Sequence, residues 1–255
     1  MVIIIIILGI SMNLINQFQD EAFTNISNII NYKKFPRNIF AIALNLFHYY
    51  TYFKSFKYID RAELSLTCVF LAHKIKIGFI RPENINDLYP LLKTNLIKEK
   101  EKSGKSGLNK NNNNNNNNNI NNIINNSNFN NKNCGNIFDV EMEILNFLGF
   151  DLEIENPYNY VIHYKKKFKF SENIEYLSLN IITDTFRRPF CIYFHPGTIA
   201  FVAIFLAMMI YFEKENQNLD FNLKVLLSKE NKIIKEEFEY CFDCLYKLFE
   251  SKISK

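Results

Sequence analysis

The sequence has no tryptophan and very little glycine or proline, 7 and 6 in 255 residues. Tight hairpin turns draw on glycine and proline, so their scarcity disfavours an antiparallel sandwich or barrel. Cysteine is also sparse. Cys68, Cys134, Cys191, Cys241 and Cys244 are odd in number and form no dense framework, which points to free thiols in a reducing compartment. Long apolar runs are missing. Val2 to Leu8 and Ile199 to Phe212 both fall short of the roughly 20 residues that cross a bilayer. No lysine or arginine precedes the first run, as a secretory signal would require. The expectation is a soluble intracellular protein with no membrane partner. Charge of one sign is missing as well: 30 basic against 26 acidic side chains leave +4, too mild to argue for direct nucleic-acid binding.

What is present is core material. Hydrophobic residues make up 48%, with 25 Phe and 14 Tyr, which rules out a mostly disordered chain. The length suits one large domain or two small ones. One stretch stands apart. Between Asn109 and Asn133, 18 of 25 residues are Asn, nine of them consecutive. Asn forms helices and strands poorly and buries little, so about 98–136 reads as a disordered low-complexity insertion in an otherwise compact fold. Gly104-Lys105-Ser106-Gly107 within it lacks the spacing and the preceding strand of a phosphate-binding loop.

Outside the insertion the periodicity is helical. Phe40 to Phe53 is apolar-rich. Asp60 and Glu63 form a capping-box pattern before a helix whose Leu64, Cys68, Leu71 and Ile75 recur at four, three and four. Leu66, Val69, Phe70 and Ala72 are apolar too, so this helix should be buried on all sides. Short helices are expected from Arg81-Pro82-Glu83 and over Asp139 to Leu148. Pro157 opens another, followed by Asn173 to Arg188, a helix starting at His195-Pro196, and two more over Asp220 to Leu227 and Lys235 to Phe249. Val69-Phe70-Leu71-Ala72-His73-Lys74-Ile75 is echoed by Ile204-Phe205-Leu206-Ala207-Met208-Met209-Ile210, 135 positions later. The order of helices around the two copies also matches. The chain therefore reads as two similar helical domains, 20–152 and 153–255, after an extension over 1–19.

At this point the chain resembles the cyclins. The residues that carry the resemblance are Phe70-Leu71-Ala72-His73-Lys74, then Glu141 with Ile144-Leu145, then Leu148-Gly149-Phe150-Asp151-Leu152. Phe47-His48, Tyr50 and Ser55-Phe56-Lys57 are similar to the second helix of cyclins K, T and L. Phe150 to Tyr158 and Cys191 to Ala207 are similar to their entry into, and the middle of, the second repeat. The likeness covers about 20–250 without the insertion. It implies an all-α fold of two tandem five-helix cyclin boxes, with the Asn-rich insertion between the fourth and fifth helices of the first. It further implies a regulatory subunit that binds and activates a cyclin-dependent serine/threonine kinase, in RNA polymerase II transcription. The partner would be that kinase, in a heterodimer. The chain itself would not be an enzyme, and would need no cofactor, metal or small-molecule substrate. The location would be nuclear, with the cytoplasm as a second one. Two departures stand out. Lys74 is followed by Ile75-Lys76-Ile77 rather than an acidic pair. The first helix reads Asp20-Glu21-Ala22-Phe23-Thr24-Asn25-Ile26, without the docking patch of cell-cycle cyclins. The alternative is a module of the transcription factor IIB kind, which uses two such boxes without a kinase. It would want a zinc ribbon and a more basic surface, and neither is visible.

The resemblance assigns kinase binding to Lys74, Glu141, Leu145 and Phe150. Read alone, Lys74 suits the negative end of a helix dipole. Its echo is Met209, so only the first copy keeps a charge, and Met209 is expected in the core. Glu141 competes with Glu143, two residues on, and the interval to Phe150 favours Glu141. Lys74 and Glu141 are both expected outside the core, while Leu145 and Phe150 could be contact or core. No nucleophile, base and orienting group fall together, and His48, His73, His163 and His195 are scattered. Cys241-x-x-Cys244 reads as two ordinary thiols rather than a metal or redox pair. Lys165 to Lys169 reads as a solvated helix end rather than a phosphate contact.

Overall fold

A computed structural model of the chain describes residues 12–54, 61–78, 133–214 and 232–253. The described residues contain nine α-helices and no strand. These are α1 (Met12–Lys33), α2 (Arg37–Phe53), α3 (Arg61–Ile77), α4 (Asn133–Phe147), α5 (Pro157–Phe168), α6 (Glu172–Thr185), α7 (Phe190–Tyr193), α8 (Pro196–Lys214) and α9 (Lys232–Ile253). The apolar start over 2–10, Ser55-Phe56-Lys57, the cap residue Asp60, the helix expected from Arg81 and the helix over 220–227 lie outside the described residues. So does the insertion, up to residue 132.

Two helices organise the rest. α3 packs against α1, α2 and α4, and α8 packs against α5, α6 and α9. Both are apolar on all faces over their central turns, so those turns must be covered on every side. Every residue of α3 from Leu64 to His73 is buried, Ala72 completely. In α8, Ile199 to Ala203 are buried in the same way, with Ala200, Ala203 and Ala207 at zero exposure. Such small side chains let neighbouring helices approach closely, which is how one helix accepts several partners.

The caps follow local chemistry. Asn156 accepts a hydrogen bond from the Tyr158 N–H (3.1 Å), and Pro157 takes the first helical position, where its missing N–H costs nothing. Ser171 caps α6. Gly78, at a φ of 102°, ends α3, with its N–H on the Lys74 carbonyl.

The 135-residue echo extends well beyond seven residues. α1 and α5 end at Lys33 and Phe168, α2 and α6 begin at Arg37 and Glu172, and α3 and α8 begin at Arg61 and Pro196, each pair 135 positions apart. Lys34 and Lys169, just past the first pair of ends, are also 135 apart and share a left-handed φ of 54°. Buried positions keep the same spacing: Ile26 and Val161, Ile39 and Ile174, Leu46 and Ile181, Phe47 and Ile182.

The two groups of helices meet on the turn after α6. Phe186 is buried with its ring against Phe40 and Tyr158. Its carbonyl accepts from His48 Nε2 at 2.8 Å. Arg188 pairs with Asp20 (2.9 Å), and the Arg187 guanidinium lies 4.0 Å from the Phe23 ring.

Several expectations need correction. α1 begins at Met12, and Ile15 and Phe18 are core residues, so part of the supposed 1–19 extension is built into the fold. α4 begins at Asn133, inside the range given to the insertion. The helix expected to reach Arg188 stops at Thr185, and 186–189 form the turn that docks the two groups. Met209 is 38% exposed rather than core.

Candidate partner-binding site

The face of α4 carries the site. Ile137, Glu141, Ile144 and Leu148 recur at four, three and four, the spacing of a buried stripe. Ile137 and Ile144 are core residues and Leu148 packs against the core. The stripe thus places Glu141 where an aliphatic residue would ordinarily stand, and its side chain is only 8% exposed. Lys74, one turn from the end of α3, meets it there. Its Nζ donates to Oε1 at 2.8 Å and to Oε2 at 3.0 Å. The same ammonium lies 4.3 Å from the Phe70 ring centroid and 6.0 Å from that of Phe138, a cation–π setting. The pair is therefore not a solvated surface bridge. Glu141 belongs to the helix–helix packing, against expectation, while Lys74 stays about one-third open, at 30%.

A second stripe flanks the buried one. Phe138 (41% exposed), Met142 (51%) and half-buried Leu145 recur at four and three, beside the Lys74–Glu141 pair. Gly149 and Phe150 then both adopt left-handed backbone, with φ of 60° and 61°. The Phe150 N–H closes the helix end on the Leu145 carbonyl at 2.9 Å. A phenylalanine at such a φ is an outlier, and its ring is 58% exposed rather than buried in recompense. Phe147, at 41%, adds to this apolar edge. The structure thus brings Lys74, Glu141 and Leu145 together on α3 and α4, with Phe150 at the end of α4. Phe138, Met142 and Phe147 were not singled out from the sequence. Their signal was there, as apolar residues one step off the buried stripe of an amphipathic helix.

Glu143 is a different group. It accepts from Tyr50 Oη at 2.6 Å and from Lys54 Nζ, both at the C-terminal end of α2. Those two donors, Lys54 first, hold its carboxyl below the usual carboxylate range. Burial and the facing carboxylate push the Tyr50 hydroxyl up.

The other candidates are structural. His48 is buried, and loss of hydration lowers its pKa to about 4, so it stays neutral while bound to the Phe186 carbonyl. His195 Nδ1 accepts from the Gly197 N–H at 3.0 Å and caps α8. Cys241 is buried, which pushes its thiol up, and Cys244 is half-buried; both are free. Among the described residues no group of three or more His, Cys, Asp or Glu is placed to hold a metal, and no helix is long and apolar enough to cross a membrane. Lys165 pairs with Glu175 at the end of α5. Asp20 and Phe23, in the first-helix stretch without the docking patch, are engaged by Arg188 and Arg187.

No protein-family model matches the chain. Among curated proteins it is 27% identical over 183 residues to Cyclin-T1-5 of Arabidopsis thaliana, a match over 68% of the chain and 27% of that protein. It is 27% identical over 187 residues to Cyclin pch1 of Schizosaccharomyces pombe, over 73% and 47%. A shorter match, 38% over 72 residues, links it to Cyclin-T1-4 of Arabidopsis thaliana, over 28% and 13%. The chain thus spans less than half the length of these curated relatives. Among solved structures it superposes on a chain of the yeast RNA Pol II CTD kinase CTDK-1 complex, with a TM-score of 0.60 and 18% identity over 89% of this chain and 65% of that one. A chain of the CAK complex from Chaetomium thermophilum bound to ATP-gamma-S gives 0.57 and 12%, over 92% and 64%. Those identities speak for the fold alone. Together with the sequence matches, they make the chain similar to cyclins in sequence and fold. Its sequence likeness includes Cyclin-T1 proteins of two plants.

Proposed function

We propose that the chain is the cyclin subunit of a cyclin-dependent serine/threonine kinase that acts in RNA polymerase II transcription in the nucleus. It would be regulatory rather than catalytic, with the kinase transferring the phosphate. Lys74, Glu141, Leu145 and Phe150 would form the kinase contact, widened by Phe138 and Met142. The observation that carries this reading is the Lys74–Glu141 pair inside an otherwise aliphatic stripe. A buried ion pair is a weak stabiliser, and well-packed hydrophobic residues would serve the fold as well or better. Its presence beside an exposed apolar stripe is what a partner surface calls for: charge-assisted hydrogen bonds within an apolar surround. Pressed on the αC helix of a kinase, such a surface would seat the lysine–glutamate pair that phosphoryl transfer needs.

Under the same reading the chain is two five-helix boxes, 20–152 and 153–255, with the insertion looping out of the first. The single spacing of 135 across three pairs of helix ends supports that division, and α1 starting at Met12 moves its outer edge. The experiment is affinity purification of the full chain, followed by identification of the kinase that co-purifies. Recovery of DNA or polymerase without any kinase would overturn the reading and favour a module of the transcription factor IIB kind.

A further inference from the structure

Glu141 and Glu143 are two residues apart, which on a helix is about 200° of rotation. They therefore face nearly opposite ways from α4, and each is met by a cation from a different helix. Lys74 reaches Glu141 from α3, while Lys54 and Tyr50 reach Glu143 from α2. The apolar anchors Ile137 and Ile144 lie on the Glu141 side. Val140 and Leu145 flank these anchors against the core, so apolar packing holds α4 on its Glu141 side, and a contact from the far side adds to what resists rotation about the helix axis. The α2 contact opposes it directly. Tyr50 is 2% exposed, its ring locked in the core, so its hydroxyl is a fixed point at the protein surface. Lys54 is the residue that ends α2, with its N–H on the Tyr50 carbonyl and its ammonium 5.5 Å from the Tyr50 ring centroid. Both donors thus project from one rigid helix end onto one carboxylate oxygen.

We propose that Glu143 is a positioning residue: clamped by Tyr50 and Lys54, it sets the rotation of α4 at which Glu141 meets Lys74. The bearing of this on partner binding rests on the reading of Lys74 and Glu141 given above, but the positioning itself does not. It is tested without a kinase, on the full folded chain, by the rate at which an amine-acylating reagent labels Lys74, read by mass spectrometry against exposed Lys166 as internal reference. Glu141→Gln breaks the pair directly and sets the fast limit. Glu143→Ala and Tyr50→Phe should each move the Lys74 rate towards that limit, by about threefold or more. Glu143→Gln keeps an acceptor for Tyr50 and should stay nearer the wild-type rate. Tyr50→Phe keeps the buried ring, so the test survives if Glu143→Ala folds poorly. A Lys74 rate unchanged in Tyr50→Phe and Glu143→Ala, with Glu141→Gln fast, would overturn the proposal and leave Glu143 as an ordinary surface bridge. Absence of any kinase partner would overturn the functional reading instead and leave this result standing.

Discussion

Replacing Lys74 and Glu141 singly and together separates a partner surface from a structural ion pair. Lys74→Met copies the residue that stands at the echo position, 209. It leaves a carboxylate that is 8% exposed without the cation that pairs with it among the described residues. Removing one partner of a fully buried pair costs about 3–5 kcal/mol. Lys74 is 30% exposed, so water can reach the site and the expected cost falls to ~2 kcal/mol. That corresponds to a fall of roughly 4–8 °C in Tm for a chain of this size. Glu141→Leu in addition completes the aliphatic stripe of Ile137, Ile144 and Leu148, and should restore stability to within about 1 kcal/mol of wild type or better. Kinase binding should behave differently. Both single variants and the double should lose it, by about 10-fold or more. The assay pairs thermal unfolding by circular dichroism with retention of the kinase on the immobilised chain. A double variant that is stable and still holds the kinase would refute the reasoning, because the charges would then serve neither fold nor partner. A double variant as unstable as Lys74→Met would refute the claim that the pair is replaceable within the fold.

Ala72 has no exposed surface at the crossing of α3 with its neighbours, so Ala72→Phe should cost roughly 1–3 kcal/mol, visible as a lowered Tm. Phe150 stands at a φ of 61°, so Phe150→Gly should relieve backbone strain and hold stability or raise it by an amount on the order of 1 kcal/mol, read as an unchanged or higher Tm, while weakening kinase retention; a fall in Tm would mean that the ring packs in the free chain. His48 is lowered from 6.5 to about 4, so between those values the unfolded chain binds the proton and the folded one does not. Stability should therefore be full above about pH 6.5 and fall by up to ~3 kcal/mol as the pH drops towards 4. His48→Gln, which keeps a donor for the Phe186 carbonyl, should flatten that part of the profile in denaturant titrations at several pH values.

What could be read from the sequence was whatever periodicity and local chemistry encode. The all-round burial of α3 followed from Leu64 to Ala72 being apolar on every face, and the starts at Pro157 and Pro196 followed from proline at a first turn. The division of labour between Glu141 and Glu143 could not be read with certainty, since both are acids on one helix and only the partner helices tell them apart. The sequence did hold a usable sign: Glu141 falls at the four–three–four spacing of Ile137, Ile144 and Leu148, and Glu143 does not. The turn at 186–188 was missed because its role is tertiary. Phe186, Arg187 and Arg188 continue a helical pattern, and only contacts with His48, Phe23 and Asp20 explain why the helix stops and the turn docks. Met209 is an apolar residue on an apolar helix, a pattern that predicts core, yet α8 is exposed there.

That exposure sharpens the asymmetry between α3 and α8. At the end of α3 the repeat carries Lys74, bound to a buried acid; at the same place on α8 it carries Met209, open to solvent. The spacing of 135 relates α1 to α5, α2 to α6 and α3 to α8 but does not extend to α4, the helix that carries Glu141. The charge at 74 therefore goes with its α4 partner rather than with the part of the helix arrangement that recurs. The second copy contributes elsewhere, by gripping the first through Phe186, Arg187 and Arg188 on its α1 and α2. α2 is also the helix whose far end clamps Glu143. A chain of contacts thus runs from the docking turn, along α2 from Phe40 through His48 to Tyr50 and Lys54, and onto α4. If that path matters, loosening its first step should be felt at its last. Arg188→Ala with Arg187→Ala removes the hold on Asp20 and Phe23 without touching α3 or α4. On this reasoning it should speed acylation of Lys74 less than Tyr50→Phe does, yet measurably above wild type. A rate equal to wild type would confine the positioning of Glu141 to the α2–α4 contact and leave the second copy no part in it.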